Sequence, residues 1–309
     1  MELLIGTKIN FMGVRRVAFA ISLVLIGIGI ISMIAHGGLR LGVDFSGGIL
    51  LQVQSEKALP AQDVRATLER MGLGDAEIQQ FGHESESIIR VAQSKATPQL
   101  AADIVRALNA DHPNNPSELR RQELVGPKVG AELRRTATLA ILVSLVGMLI
   151  YIWFRFEFMF GLGGIAALAH DVLITLGFLS ITNKEITLQI IAALLTIVGY
   201  SINDTIVVYD RIRENRKKMY GKSLVDIVNK SVNETLSRTL VTGMSTIFVL
   251  IVLFFFGGEV IHDFAFALLV GVVVGTYSSI YIATPLVVDW QLSVDARRRS
   301  RLKTAAGRA

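Results

Sequence analysis

Five polar side chains crowd into six residues at 200–205, where Tyr200, Ser201, Asn203, Asp204 and Thr205 interrupt an otherwise apolar stretch. Placing an ionised side chain in hydrocarbon costs at least about 2.5 kcal/mol, so Asp204 needs a reason to be there. A carboxyl group in that setting has two chemistries open to it. Beside a cation it stays ionised and structural; desolvated without one, it favours the neutral form and can take up and release a proton. Arg238, at the start of a later apolar stretch in Ser237-Arg238-Thr239, is the candidate cation. A pair that makes and breaks would use both chemistries in turn, whereas a fixed ion pair, or an Arg238 that only marks the interface, is the structural alternative.

His170-Asp171 lies about halfway along another apolar stretch. A buried His-Asp pair suits a proton relay or hydrogen bonds between helices, and packing is the simpler of the two. His262-Asp263 sits at the end of a stretch, where capping suffices.

Other chemistries lack their residues. There is no cysteine, hence no thiol nucleophile and no disulfide. His83 and His112 stand alone beside turn residues, without the second ligand a metal site needs. Gly42, Gly47 and Gly48 precede a strand and lack the Lys-Ser/Thr of a phosphate loop. An intramembrane protease would need two neighbouring aspartates, or a serine with a base, and neither signature is present. We therefore expect no metal, no cofactor and no enzyme.

The elements that must position these groups follow from composition. Of 309 residues 51% are hydrophobic and 18% charged, too apolar for an ordinary soluble domain. A helix rising about 1.5 Å per residue crosses the hydrocarbon core in roughly 20 residues. Six stretches qualify, at 17–35, 136–154, 158–181, 186–209, 239–257 and 264–288. The second and third are split only by Arg155 and Glu157, a very tight hairpin. The first follows Arg15 and Arg16 but lacks a small-x-small cleavage site after Ala35, so it reads as an uncleaved anchor.

Lys8, Arg15 and Arg16, the basic residues of 210–238, and Arg297, Arg298, Arg299, Arg301, Lys303 and Arg308 all fall on one side of six spans. The opposite short loops hold Lys184 with Glu185, and Glu259 with Asp263. The basic side is then cytoplasmic and holds both termini. The expected organisation is a cytoplasmic start and first span at 1–36, an extracytoplasmic domain at 37–135, spans two to six at 136–290 with a basic cytoplasmic loop at 210–238, and a basic tail at 291–309. The basic segments suit anionic lipid. With no aromatic residues among the tail arginines, nucleic acid is not an expected partner.

The domain at 37–135 reads as strand (49–54), helix (60–71), a hairpin of two strands (76–81 and 87–92) around Gly82, helix (98–109) and strand (118–125). That order is the split βαβ pattern of a ferredoxin-like module. The fold class is an α-helical polytopic membrane protein of six spans with one small α+β domain between the first and second. Two small-residue patterns, Gly161-x-Gly163-Gly164 and Gly271-x-x-x-Gly275, permit close helix packing, within the chain or against a partner.

Four motifs together carry a resemblance: Gly-Val-Asp-Phe-Ser-Gly-Gly at 42–48, Val-Gly-Pro-Lys-Val-Gly at 125–130, Ala-His-Asp at 169–171, and Val-Gly-Tyr-Ser-Ile-Asn-Asp-Thr-Ile-Val-Val-Tyr-Asp-Arg-Ile-Arg-Glu-Asn at 198–215. The chain resembles the SecF family, the smaller subunits of the bacterial SecDF protein-export factor, over nearly its whole length. The resemblance implies a fold of the resistance-nodulation-division type, a SecD partner, association with the SecYEG translocon, and use of the proton-motive force to promote translocation of a preprotein across the cytoplasmic membrane. It maps the proton-linked roles onto Asp204 and Arg238, with Ser201, Asn203, Thr205, His170 and Asp171 as supporting polar groups. Half of a proton-driven efflux pump and a non-energised assembly scaffold are the rival readings.

Overall fold

The computed structural model describes residues 7–81, 83–156 and 158–306. Of the residues named above, Gly82, Glu157 and Arg308 lie outside these, as do the side chains of His83, Glu259, Arg298, Arg299, Arg301 and Lys303. In chain order the elements are α1 (Arg15–Ala35), α2 (Val43–Ser46), β1 (Gly48–Ser55), α3 (Ala61–Arg70), β2 (Glu77–Phe81), β3 (His83–Val91), α4 (Leu100–Asp111), β4 (Ser117–Val125), α5 (Pro127–Arg155), α6 (Phe158–Ile181), α7 (Leu188–Lys218), α8 (Leu224–Phe256), α9 (Gly258–Ser278) and α10 (Thr284–Ala306). They form two compact units, one of Leu41–Ala140 with Glu185–Leu188, the other of the remaining helical segments.

In the helical unit and its extensions, six helical stretches among the described residues are long and apolar enough to cross a membrane. Several begin and end close to the expected spans, with three differences, the first being that α5 starts at Pro127 rather than near 136. The segment expected as a basic loop at 210–238 is helical except for 219–223, because its charges pair at helical spacing. Lys218 Nζ lies 2.6 Å from Glu214, and Arg211 Nε lies 2.7 Å from Glu234, tying α7 to α8. Ser223 caps α8, its hydroxyl accepting from the Asp226 amide at 3.1 Å. The last stretch is two α-helices joined by a π-helical turn at Ser279–Ala283.

The bundle closes where side chains are smallest. A Cβ on Gly29 of α1 would lie 2.8 Å from Gly177 Cα of α6, so only two glycines allow this crossing. Phe11 and Met12, ahead of α1, are buried in a cluster with Tyr209, Val228, Val232 and Val288. Asn229 and Asn233, one turn apart on α8, hold that segment through the Met12 and Ile9 amides, each at 2.9 Å.

The second unit is a four-stranded antiparallel sheet of order β2-β3-β1-β4. Ile49, Leu51 and Val53 of the central strand alternate onto one face. They are buried with Val64 and Leu68 of α3 and Ile104 and Leu108 of α4. This is the expected split βαβ arrangement. The β2–β3 turn is tighter than expected, since β3 starts at His83 and pairs with Phe81. The unit also differs from the expected 37–135 boundaries. It extends to Ala140 because α5 starts at Pro127, and it takes in Glu185–Leu188, assigned in sequence to a short loop and a span.

Candidate functional site

Asp171 is the hub of the polar groups within the bundle. It is fully buried and accepts from three spans: Ser201 Oγ of α7 at 2.5 Å, Ser278 Oγ of α9 at 2.8 Å, and, on its other oxygen, His170 Nδ1 of α6 at 2.9 Å. His170 Nε2 continues to Ser22 Oγ of α1 at 2.9 Å, and Ser22 to the Tyr277 hydroxyl at 3.1 Å. Tyr277 in turn donates to the Ala18 carbonyl at 2.7 Å. With Nδ1 bonded to a carboxylate, that nitrogen carries the proton and Nε2 faces a hydroxyl that can donate or accept. Four helices are thus joined by one connected set of hydrogen bonds. A carboxylate bonded on both oxygens, twice on one of them, is held in place rather than poised to exchange.

Asp204 is the contrast. One turn beyond Ser201's neighbour Tyr200 on α7, it is 4% exposed, yet its Oδ2 has no hydrogen-bond partner among the described residues. Arg238 of α8 is exposed, and no hydrogen bond or ion pair among the described residues joins it to Asp204, although its charge acts on that carboxylate through space. The fixed ion pair is therefore not what is seen. Asn203 is exposed, and the Thr205 hydroxyl donates back to the Ser201 carbonyl at 3.2 Å. The sequence segment splits in two: Ser201 serves the Asp171 hub, and Asp204 stands apart.

Four further buried hydroxyls lack partners among the described residues, those of Thr7 ahead of α1, Tyr200 on α7, Thr239 on α8 and Thr276 on α9. A Cβ on Gly243 of α8 would lie 3.4 Å from Thr276 Oγ1 and 4.0 Å from the Tyr200 hydroxyl, so these two groups flank bare helix backbone. Unanswered polar atoms are uncommon in a packed interior, and of these Tyr200 shares α7 with Asp204, Thr239 shares α8 with Arg238, and Thr276 lies on α9.

Glycines set the spacing. A Cβ on Gly271 would meet Ile197 at 2.2 Å and one on Gly275 would meet Ser201 at 3.0 Å, so this small-xxx-small pair packs against α7 of its own chain. A Cβ on Gly163 would meet the Tyr209 hydroxyl at 2.8 Å and the Ala283 carbonyl at 2.9 Å. That carbonyl belongs to the π turn and accepts from Tyr209 at 3.2 Å, while Ser279's carbonyl accepts from Thr284 Oγ1 at 2.6 Å. Ser22, Tyr277 and Ser278 were not singled out from sequence; Ser22 is a lone hydroxyl in an apolar stretch, whereas the run Thr276-Tyr277-Ser278-Ser279 is a signal that could have found the other two. Among the described residues no three His, Asp or Glu side chains gather where they could hold a metal ion.

Six spans, a small α+β domain and ionisable groups in mid-bundle define a multi-pass membrane protein with a polar interior. The description "Protein export membrane protein SecD/SecF, C-terminal" matches residues 105–293, and "SecD/SecF GG Motif" matches 32–58. Protein translocase subunit SecF of Magnetococcus marinus is 48% identical over 304 residues, covering 97% of each chain. That of Desulfurispirillum indicum is 46% identical over 290 residues, covering 92% of each. The crystal structure of SecDF from Thermus thermophilus, 40% identical, superposes with a TM-score of 0.85 over 94% of this chain and 39% of its own. SecDF in the super-membrane-facing form, 39% identical, gives 0.72 over 97% of this chain and 41% of its own. The chain thus spans about two-fifths of the solved SecDF chains it matches. The chain belongs to the SecF family of protein translocase subunits, and its role lies in protein translocation.

Proposed function

We propose that the chain works with a SecD partner at the SecYEG translocon of the bacterial cytoplasmic membrane, coupling the proton-motive force to passage of a preprotein. Asp204 carries the proton and Arg238 is the charge it responds to. Both termini are cytoplasmic, the basic residues between Arg211 and Lys230 and those of the tail rest against anionic lipid headgroups, and no covalent chemistry is involved. The observation that supports this reading best is the contrast between two buried carboxylates: Asp171 is answered on both oxygens, whereas Asp204 has an oxygen without a partner among the described residues. A neutral, protonated Asp204 fits such a place without a permanent counter-ion; an ionised one is drawn to Arg238. One charge crossing 100 mV gives about 2.3 kcal/mol, enough to bias a two-state element.

The test is proton-gradient-dependent translocation in inverted vesicles carrying the SecD partner, comparing wild type with Asp204→Asn in complexes shown to assemble. Loss of the gradient-dependent part is expected. Unchanged stimulation would return Asp204 to a packing role. Single cysteines placed at 220 and 75 in this cysteine-free chain would label from the cytoplasmic and opposite faces respectively, and the reverse would overturn the orientation.

A further inference from the structure

Glu185–Leu188 connects two membrane helices, yet it belongs to the small α+β unit. Its hold there is specific. The Gly42 amide donates to the Ile186 carbonyl at 2.9 Å, and Leu41 bridges Ile186 in parallel register. Asp44 Oδ2 accepts from the Leu188 amide at 2.9 Å. Leu188 is the first residue of α7, where backbone N–H groups lack helical partners and the helix dipole favours a negative charge. At the start of the same segment, Glu185 Oε1 lies 2.5 Å from Arg90 Nη2 of β3, with side chains only 9% and 13% exposed. The approach leaves no slack: a Cβ on Gly42 would lie 3.0 Å from Thr187 Cγ2 and 3.3 Å from the Ile186 carbonyl.

The turn that carries Asp44 is itself braced. Arg134 Nη2 of α5 donates to the Phe45 carbonyl at 2.5 Å, and a Cβ on Gly130 would lie 3.3 Å from the same oxygen. Gly47 and Gly48 turn the chain into β1 with φ of 72° and 121°, conformations that favour glycine. A connection that only had to reverse the chain would require neither a nearly buried ion pair, which is costly to desolvate, nor a carboxylate aimed at the first amide of a helix.

We infer that Asp44 and Arg90 are positioning residues for Asp204: they fasten the first turn of α7 to the small domain, and the fastening stays closed while Asp204 changes charge. Asp204 lies 16 residues after Leu188 on one continuous helix, about 24 Å along it. A shift of α7 along its axis at Asp204 is then met at its first turn by the Asp44 hydrogen bond and, through Glu185, by Arg90 of β3. The inference rests on the reading of Asp204 above, and its first test does not.

That test is amide hydrogen exchange on the full chain with its SecD partner in nanodiscs. Asp44→Ala should speed exchange at Leu188 about tenfold, the weight of one charge-assisted hydrogen bond. Asp44→Asn, which keeps an acceptor oxygen, should change it far less. No response to Asp44→Ala overturns the fastening, whatever Asp204 does. The second test is functional. Asp44→Ala and Arg90→Ala should lower the ratio of gradient-dependent to gradient-independent translocation, with Arg90→Lys recovering part; an unchanged ratio overturns the positioning role. The third locks the contact with Gly42→Cys and Thr187→Cys, a pairing that the absence of native cysteine makes unambiguous. Stimulation that survives oxidation supports a contact closed throughout, and loss on oxidation with recovery on reduction overturns it. Should Asp204→Asn leave stimulation intact while exchange at Leu188 still responds to Asp44→Ala, the proton reading fails and Asp44 holds α7 for another purpose.

Discussion

Ser201 of α7 donates to Asp171 of α6 at 2.5 Å, so the most polar segment of the fourth span gives its serine to a carboxylate on the third and leaves its own Asp204 outside that network. Two buried acids thereby have opposite surroundings. The predictions below separate them.

Asp171→Ala leaves His170, Ser201 and Ser278 without their acceptor in a dry interior. Leaving a buried donor unsatisfied costs about 1–3 kcal/mol, and thermal unfolding of the purified complex should show the loss of this shared acceptor as a clear fall in midpoint. A midpoint close to wild type would mean that the hub does not hold the four helices together.

Asp204→Leu should behave in the opposite sense. With an oxygen that has no partner among the described residues, Asp204 should contribute little to the fold, and an apolar replacement of similar volume should be neutral or stabilising to within about 1 kcal/mol. The same unfolding experiment reads it. A destabilisation as large as that of Asp171→Ala would show that Asp204 is a structural acid after all.

At the α1–α6 crossing the backbones themselves are in contact, so a methyl group has nowhere to go. Gly177→Ala would put a Cβ 2.9 Å from Gly29 Cα and should destabilise by about 1–3 kcal/mol. Gly27→Ala, two residues from the crossing with nothing within 4 Å, should be neutral or slightly stabilising through helix propensity. Equal effects at the two positions would refute the close crossing.

One pH effect lies outside the membrane segments. The hydrogen bond from Lys95 holds the Asp75 carboxyl below its usual range. A depressed folded-state value gives stability that is present above the unfolded pKa of about 3.9 and is lost as pH falls through the folded one. Asp75→Asn should therefore lower the unfolding midpoint slightly at pH 7 and leave it unchanged at the acid end. Because the pair is exposed, the difference should also shrink with added salt.

Most of the architecture was written in local pattern. Apolar runs located the spans, and alternation with helical spacing gave the strand and helix order of the small domain, because both depend on which residues must leave water. What sequence could not reveal depends on neighbours distant in the chain. Nothing local distinguishes Ser22 from the many hydroxyls that bond their own helix, and only the assembled bundle brings it and Ser278 into the network of Asp171. The attachment of Glu185–Leu188 to the small domain is likewise fixed by Asp44 and Arg90, far away in sequence. The helices through 210–238 were legible in principle, since Glu214 and Lys218, or Lys230 and Glu234, stand at i,i+4 spacing, but a dense run of charge reads first as a loop.

The π turn at Ser279–Ala283 carries a last consequence, for the length of the chain. Such a turn is an α-helix holding one residue too many. Deleting a single residue there would restore regular hydrogen bonding and rotate everything downstream by about 100°. Val287 and Val288, 4% and 0% exposed, would swing out of the core, and the Ala283 carbonyl would leave Tyr209. This stretch should accept no deletion: its residue count keeps the two halves of the last span in phase.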